Sequence, residues 1–468
     1  MKKFWFNFVI ILLIVLLPIG GFFVYGGLIQ SHSVYSETYY AELKDKVERL
    51  KTREGKKIVF IGGSSLIFGL RSEEIEKATG YEVVDFGLYA SLGTTLMMKL
   101  AEPYISEGDV VVLAPELNAQ TYSTYTGYDA AWKCFENMGY PHGKFSLDES
   151  MNYFFHYFKY VVEKGQANIV LNAPYDKASF NEYGDIDNEI VNQNILENYY
   201  DATQLIEPNL DLLDSDFIKE VNTYNKALNK KNASLYFSFS PTNELALIDE
   251  NLVDFENQLK EKLNCPILGS VKEFTYHEYY FYDTNFHLNR AGSYNHSKKL
   301  AELLNKELNV TSSYEIPSKE RPVPKFFHSG IIEEYKGILY EQMFTNNRVT
   351  YALFGFTESK KNIEDFTVPE TVNGYQVSSI ALHAFKDMPN IITVTIPKTV
   401  EDLMQPLFEN CPKVYGLYLE HEMPIPVCST GLVDGASSGC KIYIKSEYYS
   451  AFMHDYTWVN YRTIMVSY

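Results

Sequence analysis

From Lys57 onward the chain alternates short β-rich runs with helical periods: KIVFIG (57–62), LRSEEIEKATG (70–80), YEVVDFG (81–87), TTLMMKLAEPYI (94–105) and DVVVLAPEL (109–117). The alternation resumes with SLYFSFS (234–240), LIDENLVDFENQLKEKL (247–263), a short PILG run and SYNHSKKLAELLNKEL (293–308). Parallel strands can be joined only by crossovers, so this order predicts an α/β fold of three layers, a parallel sheet with helices on both faces. Residues 119–225 between the two blocks are rich in Tyr and Asn and weak in period. They read as a helix-containing insertion that caps or shapes a site.

The pattern breaks at SKERPVPK (318–325), where Pro and charge suggest a linker. Beyond it FTVPETVNGYQVSSIALHAFKDMPNI is answered by VTIPKTVEDLMQPLFENCPKV. Ile380 corresponds to Leu403, Phe385 to Phe408 and Asn390-Ile391 to Lys413-Val414, all 23 residues apart. A fixed period in the twenties with a strand-like V-x-I-P run in each unit is the mark of a leucine-rich-repeat-type solenoid.

The start of the chain limits where all this can fold. Two lysines precede Phe4 to Leu28, a stretch without a charged residue. At 1.5 Å per residue it can cross a hydrocarbon core about 30 Å thick. A cleaved signal peptide is the alternative, but no small-residue cleavage site is visible. Phe4, Trp5, Phe22, Phe23 and Tyr25 would sit as interfacial aromatics, Pro18 would kink the helix, and the lysines predict a cytoplasmic N-terminus with the bulk of the chain extracellular. In the polar segment 37–57, Tyr40, Leu43, Val47 and Leu50 form one helical stripe. It reads as a stalk helix resting on its own domain; a parallel coiled coil is the alternative, with fewer heptads than an isolated coil needs. The expected division is 1–30 as cytoplasmic start and anchor, 31–55 as stalk, 56–312 as α/β domain, 313–344 as linker and 345–468 as repeat module.

Charge and cysteine usage exclude several functions. The chain has 60 acidic against 41 basic residues, a net charge of -19 that would repel a phosphate backbone, so no nucleic-acid partner is expected. Its five cysteines include no C-x-x-C and no His/Cys pair at zinc spacing. No metal or cofactor is expected. Cys428 and Cys440 could close a loop disulfide, with buried free thiols as the alternative. Asp185 and Asp187 lack the glycine and the glutamate of a calcium loop and read as solvated. The 38 tyrosines suit stacking on sugar rings and ordinary amphipathic packing equally.

The first strand runs into GGSSLIFG (62–69), and YYFYDTNFHLNRAG immediately precedes the closing helix. Serine at the end of the first parallel strand faces the crevice where open α/β sheets bind ligands. A Gly/Ser turn with Ser64 or Ser65 as helix cap is the plain alternative. Asp283 and His287 are four apart, which on a helical turn would share one face, so Asp283 could orient His287 as a base; Asn285 and Glu278 are alternative orienting groups. His277 and His296 flank this segment and read as solvated or structural.

Together these blocks resemble the SGNH/GDSL hydrolases, over about residues 56–310, and in particular the D-alanine transfer protein group of Gram-positive cell walls, which also replaces the aspartate of the first block by serine. The resemblance implies Ser65 as nucleophile, His287 as base, Asp283 as its orienting group, and Gly87 of VVDFGLYASLG as an oxyanion donor. Where the family has G-x-N-D, this chain has APELN: Asn118 is displaced by about one residue, and Glu116 would repel an oxyanion unless protonated. The repeats resemble the BspA-like leucine-rich repeats of bacterial surface proteins over about 345–468, which implies an interaction surface. The combined expectation is a membrane-anchored serine esterase or O-acyltransferase acting on acyl groups of cell-envelope or extracellular glycans. A membrane acyltransferase is a further expected partner. The competing expectation is a catalytically silent surface interaction protein.

Overall fold

The computed structural model describes residues 1–26, 33–167, 169, 171, 173–196, 199–322, 326–345, 348–427, 431–455 and 457–468, with backbone alone at 326–328. It divides into two units, Met1–Pro322 and Val323–Tyr468.

The first unit begins with α1 (Lys2–Val24), whose helix runs through Pro18 and buries none of its residues. By length and composition it can cross a membrane. Helix α2 (Glu42–Thr52) buries Leu43, Val47 and Leu50 in the core of its own unit, so the stripe is consumed there and is not available for a coiled coil. The same face carries Lys46, fully buried, with Nζ 3.6 Å from Asp85 Oδ2 and donating to the carbonyls of Asp85 (3.1 Å) and Gly184 (2.8 Å). Burial lowers the pKa of Lys46 and raises that of Asp85 to about 7.

Next come β1 (Lys57–Gly62), α3 (Ser64–Gly69), α4 (Ser72–Thr79), β2 (Glu82–Gly87), α5 (Thr94–Ala101) and β3 (Val110–Ala114). They are followed by α6 (Tyr128–Met138), α7 (Leu147–Gln166), α8 (Ser215–Asn229) and β4 (Ser234–Phe237). Strands β2, β1, β3 and β4 lie in that order and are all parallel. Every residue of β1 and β3 is buried, as expected for strands covered on both faces. The register pairs Gly62 with both Gly87 and Ala114, so the loops leaving β1, β2 and β3 emerge side by side.

Helix α8 is the crossover into β4, so the insertion proper ends before it. After β4, two short strands, β5 (Thr242–Asn243) and β6 (Thr275–Tyr276), pair in parallel, with α9 (Leu252–Lys262) between them and α10 (Arg290–Leu308) closing the unit. The PILG run is no strand: it contributes a single bridge, Ile267 to Phe237.

In the second unit, residues expected as a linker form β7 (Phe326–Tyr335) and β8 (Ile338–Thr345), an antiparallel pair continued by β9 (Arg348–Phe356). The runs that follow are β10 (Asp365–Thr367), β11 (Thr371–Val372), β12 (Tyr375–Ile380), β13 (Phe385–Lys386), β14 (Thr393–Ile396), β15 (Asp402–Leu403), β16 (Phe408–Glu409) and β17 (Gly416–Leu419). The chain ends with β18 (Lys441–Ile444), α11 (Tyr449–His454) and β19 (Met465–Ser467). The 23-residue period is laid out as parallel pairing: Ile380 is opposite Leu403, Phe385 opposite Phe408 and Thr393 opposite Gly416. Side chains repeat the interval, with Lys413 donating to Asn390 and Lys386 to Glu409, both at 2.8 Å. Cys134, Cys265, Cys411 and Cys440 are buried free thiols. Cys428 lies outside the described residues.

Candidate active site

Strand β1 ends at Gly62, Gly63 is extended, and α3 starts at Ser64. Neither serine side chain caps the helix, so the plain capping alternative does not describe this turn. Ser64 Oγ lies 2.8 Å from His287 Nε2. Ser65, the expected nucleophile, is turned one helical step away: its side chain is fully buried and its Oγ has no hydrogen-bond partner among the described residues. The hydroxyl that the fold brings to His287 is therefore that of Ser64.

Asp283 and His287 come together through a loop instead of a helical turn. Tyr282 N–H donates to the His287 carbonyl at 2.8 Å, and Phe281 bridges Leu288, which closes the four intervening positions into a tight bend. Thr284 Oγ1 accepts the amides of Phe286 and His287 inside it. Asp283 Oδ1 is 2.8 Å from His287 Nδ1. The other carboxylate oxygen accepts from the hydroxyl of Tyr175, which also lies 3.2 Å from Nδ1. Burial and then the Asp283 charge hold the Tyr175 pKa well above its usual range, so Tyr175 stays a donor. Phe68 stacks on the imidazole at 4.2 Å and 6°. The ring is thus fixed on one face and at both nitrogens.

Proton bookkeeping assigns the tautomer. An ionised carboxylate only accepts, so Nδ1 carries the hydrogen toward Asp283 and Nε2 is left to accept from Ser64. Ser64 Oγ also lies 3.2 Å from Glu116 Oε1, which takes the Ser65 N–H at 3.0 Å. In a neutral imidazole, giving the serine proton to Glu116 instead would force Nε2–H toward Ser64 and leave Nδ1 bare against Asp283, a lone-pair clash. The Ser64-to-His287 direction is the one a neutral imidazole allows.

Oxyanion donors are less complete. Gly87 N–H donates to Asp85 Oδ1 at 2.7 Å and is not free for a substrate. A Cβ at Gly87 would stand 2.6 Å from Leu66 Cβ and 2.7 Å from Gly63 O, so glycine there is required by close approach. Asn118 Oδ1 accepts the amides of Gln120 and Thr121, folding the loop after β3, and no contact joins it to Ser64. Glu116 takes the place Asn118 was expected to hold. With Ser64 8%, His287 6% and Glu116 5% exposed, little of the cluster faces solvent.

No protein-family model matches the sequence, and no curated protein matches it. A structure comparison finds a leucine rich cell surface protein from Faecalibacterium prausnitzii A2-165, at 18% identity and a TM-score of 0.18, over 29% of this chain and 38% of that one. The chain thus spans well under half of that protein's length, and a likeness of this size carries no conclusion about fold or function.

The remaining candidates have other employment. Asn285 bonds the backbone of Asp201 and Gln204, tying down the insertion. Glu278 pairs with His277 at 3.2 Å. His296 is buried beside Tyr276, its pKa lowered by burial to about 3. Asp185 is not solvated: buried, it accepts both the amide and the hydroxyl of Ser72 at the start of α4. Asp187 pairs with Arg71 and Arg290. Sequence reasoning missed Tyr175 and Phe68, the first because it lies in a segment without period, the second because a helix-face aromatic reads as core.

Proposed function

We propose that the first unit is an SGNH-type serine esterase or O-acyltransferase held at the membrane by α1, with Ser64 as nucleophile, His287 as base and Asp283 as its orienting group. The observation that carries this reading is the continuous chain of hydrogen bonds from Asp283 through His287 to Ser64 at the ends of parallel strands. Ser64 Oγ would attack an acyl carbonyl carbon while its proton passes to His287 Nε2. Collapse of the tetrahedral intermediate expels the alcohol, which takes that proton, and water or a sugar hydroxyl then receives the acyl group by the reverse sequence. The Ser65 N–H, one residue after the nucleophile, is an oxyanion donor once Glu116 swings off it. The substrate class, acyl groups on cell-envelope or extracellular glycans, follows from the anchor and from the resemblance to the D-alanine transfer protein group. A membrane acyltransferase is the partner this class of reaction calls for, and the solenoid-like repeats would serve as an accessory interaction surface.

A second reading is favoured by Glu116 and Gly87: with one donor covered by a carboxylate and the other bound to Asp85, the first unit is a silent domain and the repeat module does the binding. Fluorophosphonate labelling of the purified full chain separates the two. The catalytic reading expects labelling lost in Ser64→Ala and His287→Ala and retained in Ser65→Ala. A folded wild type that takes no label, alone and after Glu116→Ala, overturns it in favour of the silent domain.

A further inference from the structure

Helix α7 is apolar on two faces. One, carrying Tyr153, Tyr160 and Val161, is buried against the unit, with Trp132 of α6 donating to the Tyr153 carbonyl at 2.8 Å. The second consists of Leu147, Met151, Phe154, Phe155, Phe158 and Val162, which at 100° per residue fall within one stripe about 100° wide. Four of these are open to solvent: Leu147 is 79%, Phe155 60%, Val162 51% and Met151 45% exposed. From Leu147 to Val162 the stripe runs about 22 Å along the helix, beyond what scattered surface apolar residues account for.

What covers the stripe is indicated by what already touches its middle. Phe22 and Phe23, in the last turn of α1, pack on Phe158 (4.8 Å) and on Phe154 and Tyr157 (5.4 and 5.0 Å). The chain just after the anchor is fastened to the same helical pair: Glu136 of α6 accepts the amides of Val34 and Tyr35 and pairs with Lys164 of α7 at 2.8 Å. An anchor of 23 residues spans about 34 Å, so its last turn stands at the outer boundary of a hydrocarbon core about 30 Å thick.

We propose that α7 lies in the outer membrane interface, with Leu147, Met151, Phe155 and Val162 inserted among lipid acyl chains beside the anchor. This rests on α1 remaining in the membrane. The helix carries three acidic against two basic residues, so insertion is driven by apolar burial and needs no anionic lipid. The arrangement fixes the first unit to the bilayer at two elements and sets its orientation there, where a single flexible tether would leave it free to tumble.

The test uses the full chain in phosphatidylcholine nanodiscs at one copy per disc, with an environment-sensitive fluorophore on single introduced cysteines. Phe155→Cys and Leu147→Cys probe the stripe, Val15→Cys the anchor, and Val253→Cys, 70% exposed on α9, the aqueous reference. The unmodified chain gives the labelling background. The expected result is iodide quenching at 155 and 147 about threefold or more weaker than at 253, with quenching by brominated lipid at 155, 147 and 15. Labels at 155 and 147 as open to iodide as that at 253, with 15 shielded, overturn the proposal and leave the anchor standing. A label at 15 open to iodide overturns the anchor and the proposal with it. Shielding of the stripe only in discs carrying two copies assigns the face to self-association and also overturns it.

Discussion

The two units bury their cores by opposite routes. In the second, β12, β13 and β14 meet partners 23 residues on, so each contact is short in sequence and repeated. In the first, β3 pairs with β4 across more than a hundred residues, and Ser64 meets a histidine 223 positions away. A periodic unit can lose one contact and keep its neighbours. A sheet assembled from distant segments concentrates dependence on a few buried junctions, of which Lys46 with Asp85 is the most exacting.

That contrast can be broken by substitution. Lys46→Ala leaves Asp85 buried without its cation and is expected to destabilise the first unit by about 3–5 kcal/mol. Hydrogen exchange resolved by peptide should register the loss across β1, β2 and α2 and leave β12–β17 unchanged; spread into the second unit would refute independence of the two. Tyr175→Phe removes a donor from the half-buried Asp283 carboxylate, an expected cost of about 1.5–3 kcal/mol. If Ser64 is the nucleophile, fluorophosphonate labelling should slow in this variant without vanishing.

Acid sharpens the comparison further. Burial holds the folded-state pKa of His296 near 3, below its ordinary 6.5. The unfolded chain therefore binds a proton below pH 6.5 that the folded chain refuses. The contribution to stability is intact above 6.5 and is lost as pH falls from there toward 3, at about 1 kcal/mol for the first full unit. Thermal melts of wild type against His296→Gln between pH 7 and 5 measure it; equal slopes would mean that His296 takes up its proton in the folded state. The smallest effect belongs to the repeat: Ile380→Val trims one rung opposite Leu403 and is expected to cost about 0.5–1.5 kcal/mol, with exchange faster in β12 and β15 only.

The same difference in contact range decided what could be read beforehand. The positions of β1 and β3 follow from the continuous apolar runs IVFI and VVVLA, and the interval of 23 gives the pairing of Phe385 with Phe408 directly. Three differences between expectation and structure have physical causes. Segment 326–345 reads as a linker because Pro and charge precede it, yet its alternating residues pair as a hairpin. That the hydroxyl beside His287 is Ser64's and not Ser65's turns on one helical step, about 100°, that no motif spacing encodes. Asp185 reads as solvated because its partner, the first turn of α4, is remote in sequence; the same remoteness hid Tyr175.

The distance between Ser64 and His287 also sets a timetable. A chain leaving the ribosome amino end first delivers the serine early, Tyr175 about midway and the Asp283–His287 bend last, just before α10. While the chain is still being made, the Ser64 hydroxyl has no base beside it and is an ordinary alcohol. The hydrogen-bonded cluster is therefore complete only when nearly the whole first unit has been made and has closed, so its assembly is timed by chain order alone.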